Sequence, residues 1–167
     1  MGTRPGIHLV VTTERPRHGG TAHLVTRTLL DALRRRRVRR AALEVYVVSD
    51  AVMREVNRRT RGIDAPTTVL SFPTTVSAFP YPPAWGAPYL GEIYLAPHYI
   101  ARRGEELSHY AVHALLHLLG YTHKRSRDTI EMEAEECRLL GAPKAVRHKQ
   151  ATNKRKTTNK QQTNNKR

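Results

Sequence analysis

Short β-branched segments alternate with stretches of helical periodicity along most of the chain. Four segments are rich in valine, isoleucine, leucine and threonine and are followed by proline, glycine or aspartate, which predicts strands over residues 7–12, 43–48, 68–72 and 90–95. Between them, apolar residues recur at helical spacing. We therefore expect an α/β fold, with a small four-stranded, mostly mixed sheet and about five helices packed on it.

Local signals indicate where the predicted helices begin. Asp50 is expected to cap the second helix, and Pro97 opens a brief third helix. Ser108 is expected to cap the fourth helix, which stops at a glycine. Asp128, with a glutamate three residues later, resembles a capping box and predicts the start of the fifth helix.

Two regions are predicted to lack regular structure. Prolines and aromatic residues are concentrated between residues 74 and 88, which predicts a loop that could form part of a substrate rim. After residue 142 the composition changes to threonine, asparagine, lysine, glutamine and arginine, which cannot offset the entropy of ordering. We therefore predict one domain over residues 1–142 and a basic, disordered tail over residues 143–167.

The chain is strongly basic, with a formal net charge of +15 from 29 Lys and Arg against 14 Asp and Glu. Nine of the basic residues lie in the tail, and subtracting them from +15 leaves +6 for the rest. A basic surface attracts polyanions, most commonly nucleic acid, although solubility alone is the plainer explanation. The run Arg34–Arg40 has the same two interpretations: an RNA contact, or a solvated surface favoured by the helix dipole.

The number of cysteines and the hydropathy of the chain indicate the cellular compartment in which the protein is expected. Cys137 is the only cysteine, so an intramolecular disulfide is excluded, which suits a reducing environment. The apolar stretch Ile7–Val11 is short and lacks a cleavage site behind it, so no signal peptide is expected. The sequence contains no run of about 18 apolar residues, which a membrane-spanning helix would need. The expected location is the cytoplasm, without membrane contact.

Three histidines have the spacing of metal ligands. His113 and His117 are four residues apart on a predicted helix, so their side chains are offset by only about 40° and project together. His123 follows a glycine that ends the helix, so the chain can swing a third imidazole back toward the first two. Three histidines leave a fourth tetrahedral position open, as in catalytic zinc sites, where the bound water has a pKa of roughly 7.

Other interpretations of these histidines stay open. An isolated histidine pair at helical spacing is more often a surface or core feature than a ligand pair. His109 extends the ladder by one turn and could replace His123, although residues 109 and 117 are separated by about 80° of rotation and two turns. Ala114 stands where a zinc peptidase of the HExxH type carries its glutamate base, which argues against proteolysis.

The segment His113–His123, with the sequence HALLHLLGYTH, resembles the signature of the YbeY family of single-metal endoribonucleases. Three further blocks resemble the same family in the same order: Asn57–Gly62 (NRRTRG), Pro66–Pro73 (PTTVLSFP) and Leu90–Ile93 (LGEI). The resemblance covers roughly residues 43 to 140.

The resemblance implies a function and a set of site residues. It implies that His113, His117 and His123 bind one Zn²⁺, and that Arg61 and His117 serve catalysis, with Arg61 facing the cleft. An arginine there can grip a phosphate through two hydrogen bonds. The implied function is a single-strand-specific, metal-dependent endoribonuclease that acts in ribosomal RNA maturation, at the 16S 3′ end, and in ribosome quality control. The implied partners are ribosomal RNA and ribosomal subunits or their proteins.

Departures from the family pattern and rival functions also matter. Thr68 and Thr122 stand where family members usually carry a polar or acidic residue, so hydrogen bonding around a ligand histidine is expected to differ. The first rival is a non-enzymatic ribosome or RNA-binding factor with a structural zinc site. The second is a zinc peptidase or other hydrolase, for which Glu92 is the best stand-in base.

Overall fold

The computed structural model of the chain describes residues 6–14, 19–74 and 87–141. These residues contain four strands: β1 (Ile7–Thr13), β2 (Ala41–Val47), β3 (Val69–Pro73) and β4 (Tyr89–Leu95). They form one sheet in the order β1-β2-β4-β3. β1 pairs with β2 and β2 with β4 in parallel, whereas β3 is antiparallel to β4. The predicted mixed sheet of four strands is confirmed.

Five helices accompany the sheet within the described residues. They are α1 (Gly19–Arg35), α2 (Asp50–Arg61), α3 (Pro97–Arg102), α4 (Leu107–Leu118) and α5 (Ser126–Leu140). The predicted α/β fold with about five helices is therefore confirmed. No helix in the described part of the chain has the length and apolar character needed to cross a membrane. Residues 75–86 of the loop predicted between 74 and 88, and the predicted tail over 143–167, lie outside the described residues.

Three predicted helix caps are wrong by one to three residues. The hydroxyl of Ser49, not Asp50, accepts the hydrogen bond that begins α2, and Asp50 is the first helical residue. α4 begins at Leu107, so Ser108 lies inside its first turn. α5 begins at Ser126, and the Asp128 carboxylate accepts a hydrogen bond from the backbone N–H of Arg125, as the third residue of a capping box does. The three predictions placed the helix starts too late because Asp50, Ser108 and Asp128 all lie within the first turn of their helices.

The two faces of the sheet are buried against different helices. Alternate residues of the central strands, such as Val45 and Ile93, join the main core with α1, α4 and α5. The residues between them point to the other face, where Tyr46 and Tyr94 pack in a smaller cluster with Met53 of α2. This alternation follows from the two-residue period of a strand.

α4 is the most enclosed helix of the fold. It packs against α1, α5, β3 and β4. All twelve of its residues are buried or half-buried. Six of them are buried and apolar: Ala111, Val112, Ala114, Leu115, Leu116 and Leu118. A helix without an exposed residue is stable only when other elements surround it. His113 and His117, two of the three half-buried histidines of α4, therefore lie on a rigid support.

Gly91 holds the two antiparallel strands in close approach. Its φ is +127°, a region that L residues rarely adopt, and a Cβ built there would overlap the carbonyl oxygen of Phe72. Gly62, which ends α2, also has a positive φ (+70°), but a Cβ there would meet no atom within 4 Å. Both glycines have a positive φ, but only Gly91 also lacks the room for a side chain.

We expect Gly91→Ala to lower the free energy of unfolding by at least about 2 kcal/mol, because backbone strain adds to a clash with main-chain atoms that cannot move away. Gly62→Ala is the matched control. It should lower the free energy of unfolding by roughly 1 kcal/mol, because alanine is strained in the left-handed conformation but meets no other atoms there. Urea unfolding of both variants measures the difference. Equal losses of stability would show that the strand approach at Gly91 is not sterically limited.

Candidate metal centre

The end of α4 brings the three predicted ligands together. Gly120 adopts a φ of +91°, and the Tyr121 N–H then donates to the Leu116 carbonyl, so the chain reverses. This reversal returns His123 to the side of the helix that carries His113 and His117. One ring nitrogen from each histidine lies within 4.8 Å of those of the other two. The three residues could hold a metal ion.

Hydrogen bonds fix two of the rings from behind. His117 Nδ1 lies 2.9 Å from the Tyr121 carbonyl oxygen, and because a carbonyl only accepts, Nδ1 must carry the proton. His113 Nδ1 lies 2.7 Å from Oε1 of Glu136. The opposite nitrogens, Nε2 of each ring, face one another at 3.2 Å. With Nδ1 protonated, a neutral ring presents the Nε2 lone pair to a metal.

The arrangement fits a tetrahedral ion. Zinc–imidazole bonds of about 2.0–2.1 Å at tetrahedral angles separate two ligand nitrogens by roughly 3.3 Å, close to the 3.2 Å between the Nε2 atoms of His113 and His117. His123 is exposed, so one side of the cluster is open to solvent. Three imidazoles and an open side are the donor set of a catalytic zinc centre and not of a closed structural one.

Burial also prepares His117 to bind a cation. Burial lowers the pKa of the His117 imidazole, and the neighbouring His113 lowers it further. The ring therefore stays neutral at neutral pH, which is the form that binds metals.

Comparison with known proteins identifies the family. The family described as Endoribonuclease YbeY matches residues 17–143. The chain belongs to the YbeY endoribonuclease family. All four motif blocks named above fall within the matched residues, so the resemblance predicted from them is confirmed. The histidine cluster thus lies in the segment His113–His123, whose sequence resembles the family signature.

Individual YbeY relatives cover part of the chain. The chain is 39% identical over 111 residues to a protein named Endoribonuclease YbeY from Bradyrhizobium diazoefficiens, covering 62% of the chain and 61% of that protein. It is 34% identical to that of Rhodospirillum rubrum, covering 60% and 54%. The identity to the Moorella thermoacetica protein is 38%, covering 60% and 71%. The matched region therefore spans less than two thirds of the first two relatives.

One solved structure aligns with the fold. It is a solution structure of a Thermotoga maritima protein, 20% identical, covering 81% of this chain and 89% of that one with a TM-score of 0.49. A likeness of this size adds no argument about function.

Glu136 is a buried residue of the site that sequence reasoning missed. Only 3% of it is exposed, and its Oε1 lies 2.7 Å from His113 Nδ1. A carboxylate behind a ligand histidine orients the ring and raises its basicity. The signal was present in the sequence, because Glu136 lies one turn from Met132 and from Leu139 on the buried stripe of α5.

His109 does not belong to the three-histidine cluster within the described residues. Its Nδ1 instead lies 3.9 Å from Oε2 of Glu136, the oxygen not used by His113. The alternative in which His109 replaces His123 is therefore not supported. One carboxylate faces two successive histidines of the ladder.

Arg61 is the last residue of α2, where it is exposed. Among the described residues, no hydrogen bond or ion pair joins Arg61 to the histidines. The motif around it builds the turn that follows. The buried Asn57 donates from Nδ2 to the Ala65 carbonyl at 2.8 Å, and Gly62 caps the helix in a left-handed conformation. This turn fixes the backbone position of Arg61 but leaves its side chain exposed to solvent.

Glu92 lies on the other face of the sheet from α4. Its neighbour Ile93 packs in the main core with α4, whereas Glu92 accepts a hydrogen bond from Tyr94, which packs with α2. Because Glu92 points away from α4, it cannot act as a base beside the histidines. The peptidase interpretation therefore loses its best stand-in base.

We expect Glu136→Gln to lower metal affinity about 10- to 100-fold, the usual effect of losing a carboxylate behind a ligand histidine. A neutral amide no longer favours one tautomer and orientation of His113. Competition with a chromogenic chelator measures the affinity. Glu131→Gln is the control, since Glu131 lies on the same helix but is exposed and paired with Arg127. Equal affinity in both variants would contradict the positioning role.

Proposed function

We propose that the chain is a zinc-dependent endoribonuclease that cuts single-stranded RNA in the cytoplasm during ribosomal RNA maturation, at the 16S 3′ end, and in ribosome quality control. The observation that carries the proposal is a three-histidine cluster with an open side in a YbeY family member. Its partners are then ribosomal RNA and ribosomal subunits or their proteins.

His113, His117 and His123 are the proposed ligands of one Zn²⁺. The 3.2 Å separation of two Nε2 atoms and the outward hydrogen bonds of both Nδ1 atoms support this assignment. When bound, the metal would supply Lewis acidity that polarises a phosphoryl oxygen and lowers the pKa of water. His117 is counted among the catalytic residues because the Tyr121 carbonyl fixes the proton on Nδ1, which leaves the Nε2 lone pair to hold the proposed metal beside the reacting phosphate.

Arg61 is proposed to grip the scissile phosphate. A guanidinium can donate two hydrogen bonds to phosphate and offset the negative charge that develops during cleavage. Its exposure at the end of α2 and the ordered turn behind it support a role in contacting substrate.

The division into a domain over residues 1–142 and a basic tail over residues 143–167 stays a prediction. The end of α5 at Leu140, capped by Gly141, supports a boundary near that point. The nine basic residues that follow would add counterion-releasing contacts to RNA.

We expect His117→Ala to abolish both zinc binding and RNA cleavage, because two remaining ligands give little chelation. The parent should cleave single-stranded ribosomal RNA and lose this activity in the presence of chelator. His23→Ala, a change at an exposed histidine of α1, is the matched control and should keep both properties. Gel analysis of cleavage and elemental analysis of zinc report the two effects separately.

The same experiment separates the enzyme from its rival. Cleavage that is equal in parent, variant and chelated samples would come from a contaminant. RNA binding without any turnover by the zinc-loaded parent would favour the non-enzymatic binding factor with a structural zinc site.

We expect Arg61→Ala to lower kcat about 100- to 1000-fold without changing the zinc content, since removing one charge-stabilising donor has this effect in other enzymes. Arg59→Ala is the control, because Arg59 lies on the same helix and pairs with Glu55. Steady-state cleavage of a labelled RNA measures both variants. Similar kcat values for Arg61→Ala and Arg59→Ala would contradict a catalytic role of Arg61.

A further inference from the structure

A dense cationic surface lies next to the metal centre. It is formed by the end of α1 and the residues that follow it, together with one arginine of α5. We call it the arginine surface, and its members are Arg34, Arg35, Arg36, Arg37, Arg39, Arg40 and Arg138. All except Arg36 are exposed.

The backbone spreads these side chains instead of stacking them on one helix face. α1 ends at Arg35, and Arg37 adopts a φ of +56°, the only positive φ of a non-glycine residue in the described ranges. The Val38 N–H donates back to the Leu33 carbonyl, so the chain turns while Val38 packs against the core. Arginines on both sides of this turn consequently point to solvent.

Few carboxylates balance these charges in the contacts that the structure gives. Arg36 and Arg138 share Glu135, at 2.9 and 2.6 Å, and Arg34 meets Asp31 at 3.4 Å. Arg35 and Arg138 each donate to the other's backbone carbonyl oxygen, at 3.3 and 3.4 Å, which holds two cations side by side. Three of these arginines thus meet two carboxylates, and a cluster in which cations outnumber anions creates a positive local potential.

Tyr121 connects the arginine surface to the histidine cluster. The Arg36 guanidinium lies over the Tyr121 ring, 5.4 Å from its centroid. The carbonyl oxygen of the same residue accepts the hydrogen bond from His117 Nδ1. The surface is thus separated from a proposed metal ligand by a single residue.

We infer that the arginine surface binds the phosphate backbone of single-stranded RNA and leads the strand to the histidine cluster. The inference rests on the proposed function and deepens it by naming where the substrate outside the cleavage point is held. Arginine is suited to this task because its planar fork matches phosphate oxygens and it stays charged at every relevant pH. If these arginines only kept the protein solvated, they would make no specific contact with RNA phosphates.

The test replaces three exposed arginines that lie outside the core, Arg34, Arg37 and Arg39, with glutamine. The matched control replaces Arg54, Arg102 and Arg103, three exposed arginines of α2 and the α3 region that pair with Asp64, Asp50 and Glu105. Both triple variants lose three positive charges. Circular dichroism and thermal melts establish that each variant is folded.

Binding is measured by the fluorescence anisotropy of a labelled single-stranded RNA, in chelator so that no turnover occurs, at several salt concentrations. Each phosphate contact adds about 0.7 to the slope of log affinity against log salt for single strands. We expect the surface variant to lower this slope by about 2 and to weaken binding by at least about tenfold at low salt. The control variant should change the slope by less than half as much.

Cleavage by the zinc-loaded proteins gives the second readout. The surface variant should raise KM and leave kcat unchanged, because its arginines hold RNA away from the reacting phosphate. Equal slopes in the two triple variants would overturn the inference while leaving the nuclease proposal intact. If the surface variant binds RNA more weakly but the parent cleaves no RNA, the inference about binding stands and the nuclease proposal fails. Displacement of the RNA by an equal charge concentration of polyglutamate would also overturn the inference, in favour of an acidic protein partner.

Discussion

The burial of α4 is the constraint on which the rest of the molecule depends. A helix without an exposed residue needs the sheet on one side and α1 and α5 on the others, so its position admits little variation. Two imidazoles on such a helix inherit that rigidity. A metal centre needs ligands held to a few tenths of an ångström, which a helix with an exposed face would provide less well.

Backbone groups contribute to the centre as much as side chains do. The Tyr121 carbonyl oxygen sets the tautomer of His117, and the turn at Gly120 brings His123 into place. These contacts do not depend on the identity of the side chain at position 121, so they tolerate substitution there. Glu136 is the exception, because a side chain from a distant helix orients His113.

Local patterns predicted the strands, the helices and the histidine cluster because each depends on residues close together in the sequence. His113, His117 and His123 are linked by one helix and one glycine turn, so their meeting could be foreseen. The Pro73 position shows the limit: the proline was expected to stop a strand, but it pairs within β3 because that strand lies at the sheet edge, where a missing N–H is tolerated. Glu136 could not be assigned a role without knowing that α5 packs on α4. The role of Arg61 depends on a substrate and is not fixed by the packing of the chain.

The hydrogen bond between His113 and Glu136 also ties α5 to the proposed metal ligands. α5 reaches the core through Met132 and Leu139, and Glu136 lies between them. Any ion held by the histidines is therefore linked in free energy to the docking of α5: binding favours the docked helix, and detachment of the helix weakens binding by the same amount. For an ion held by these histidines, its release and the fraying of α5 would be two sides of one equilibrium.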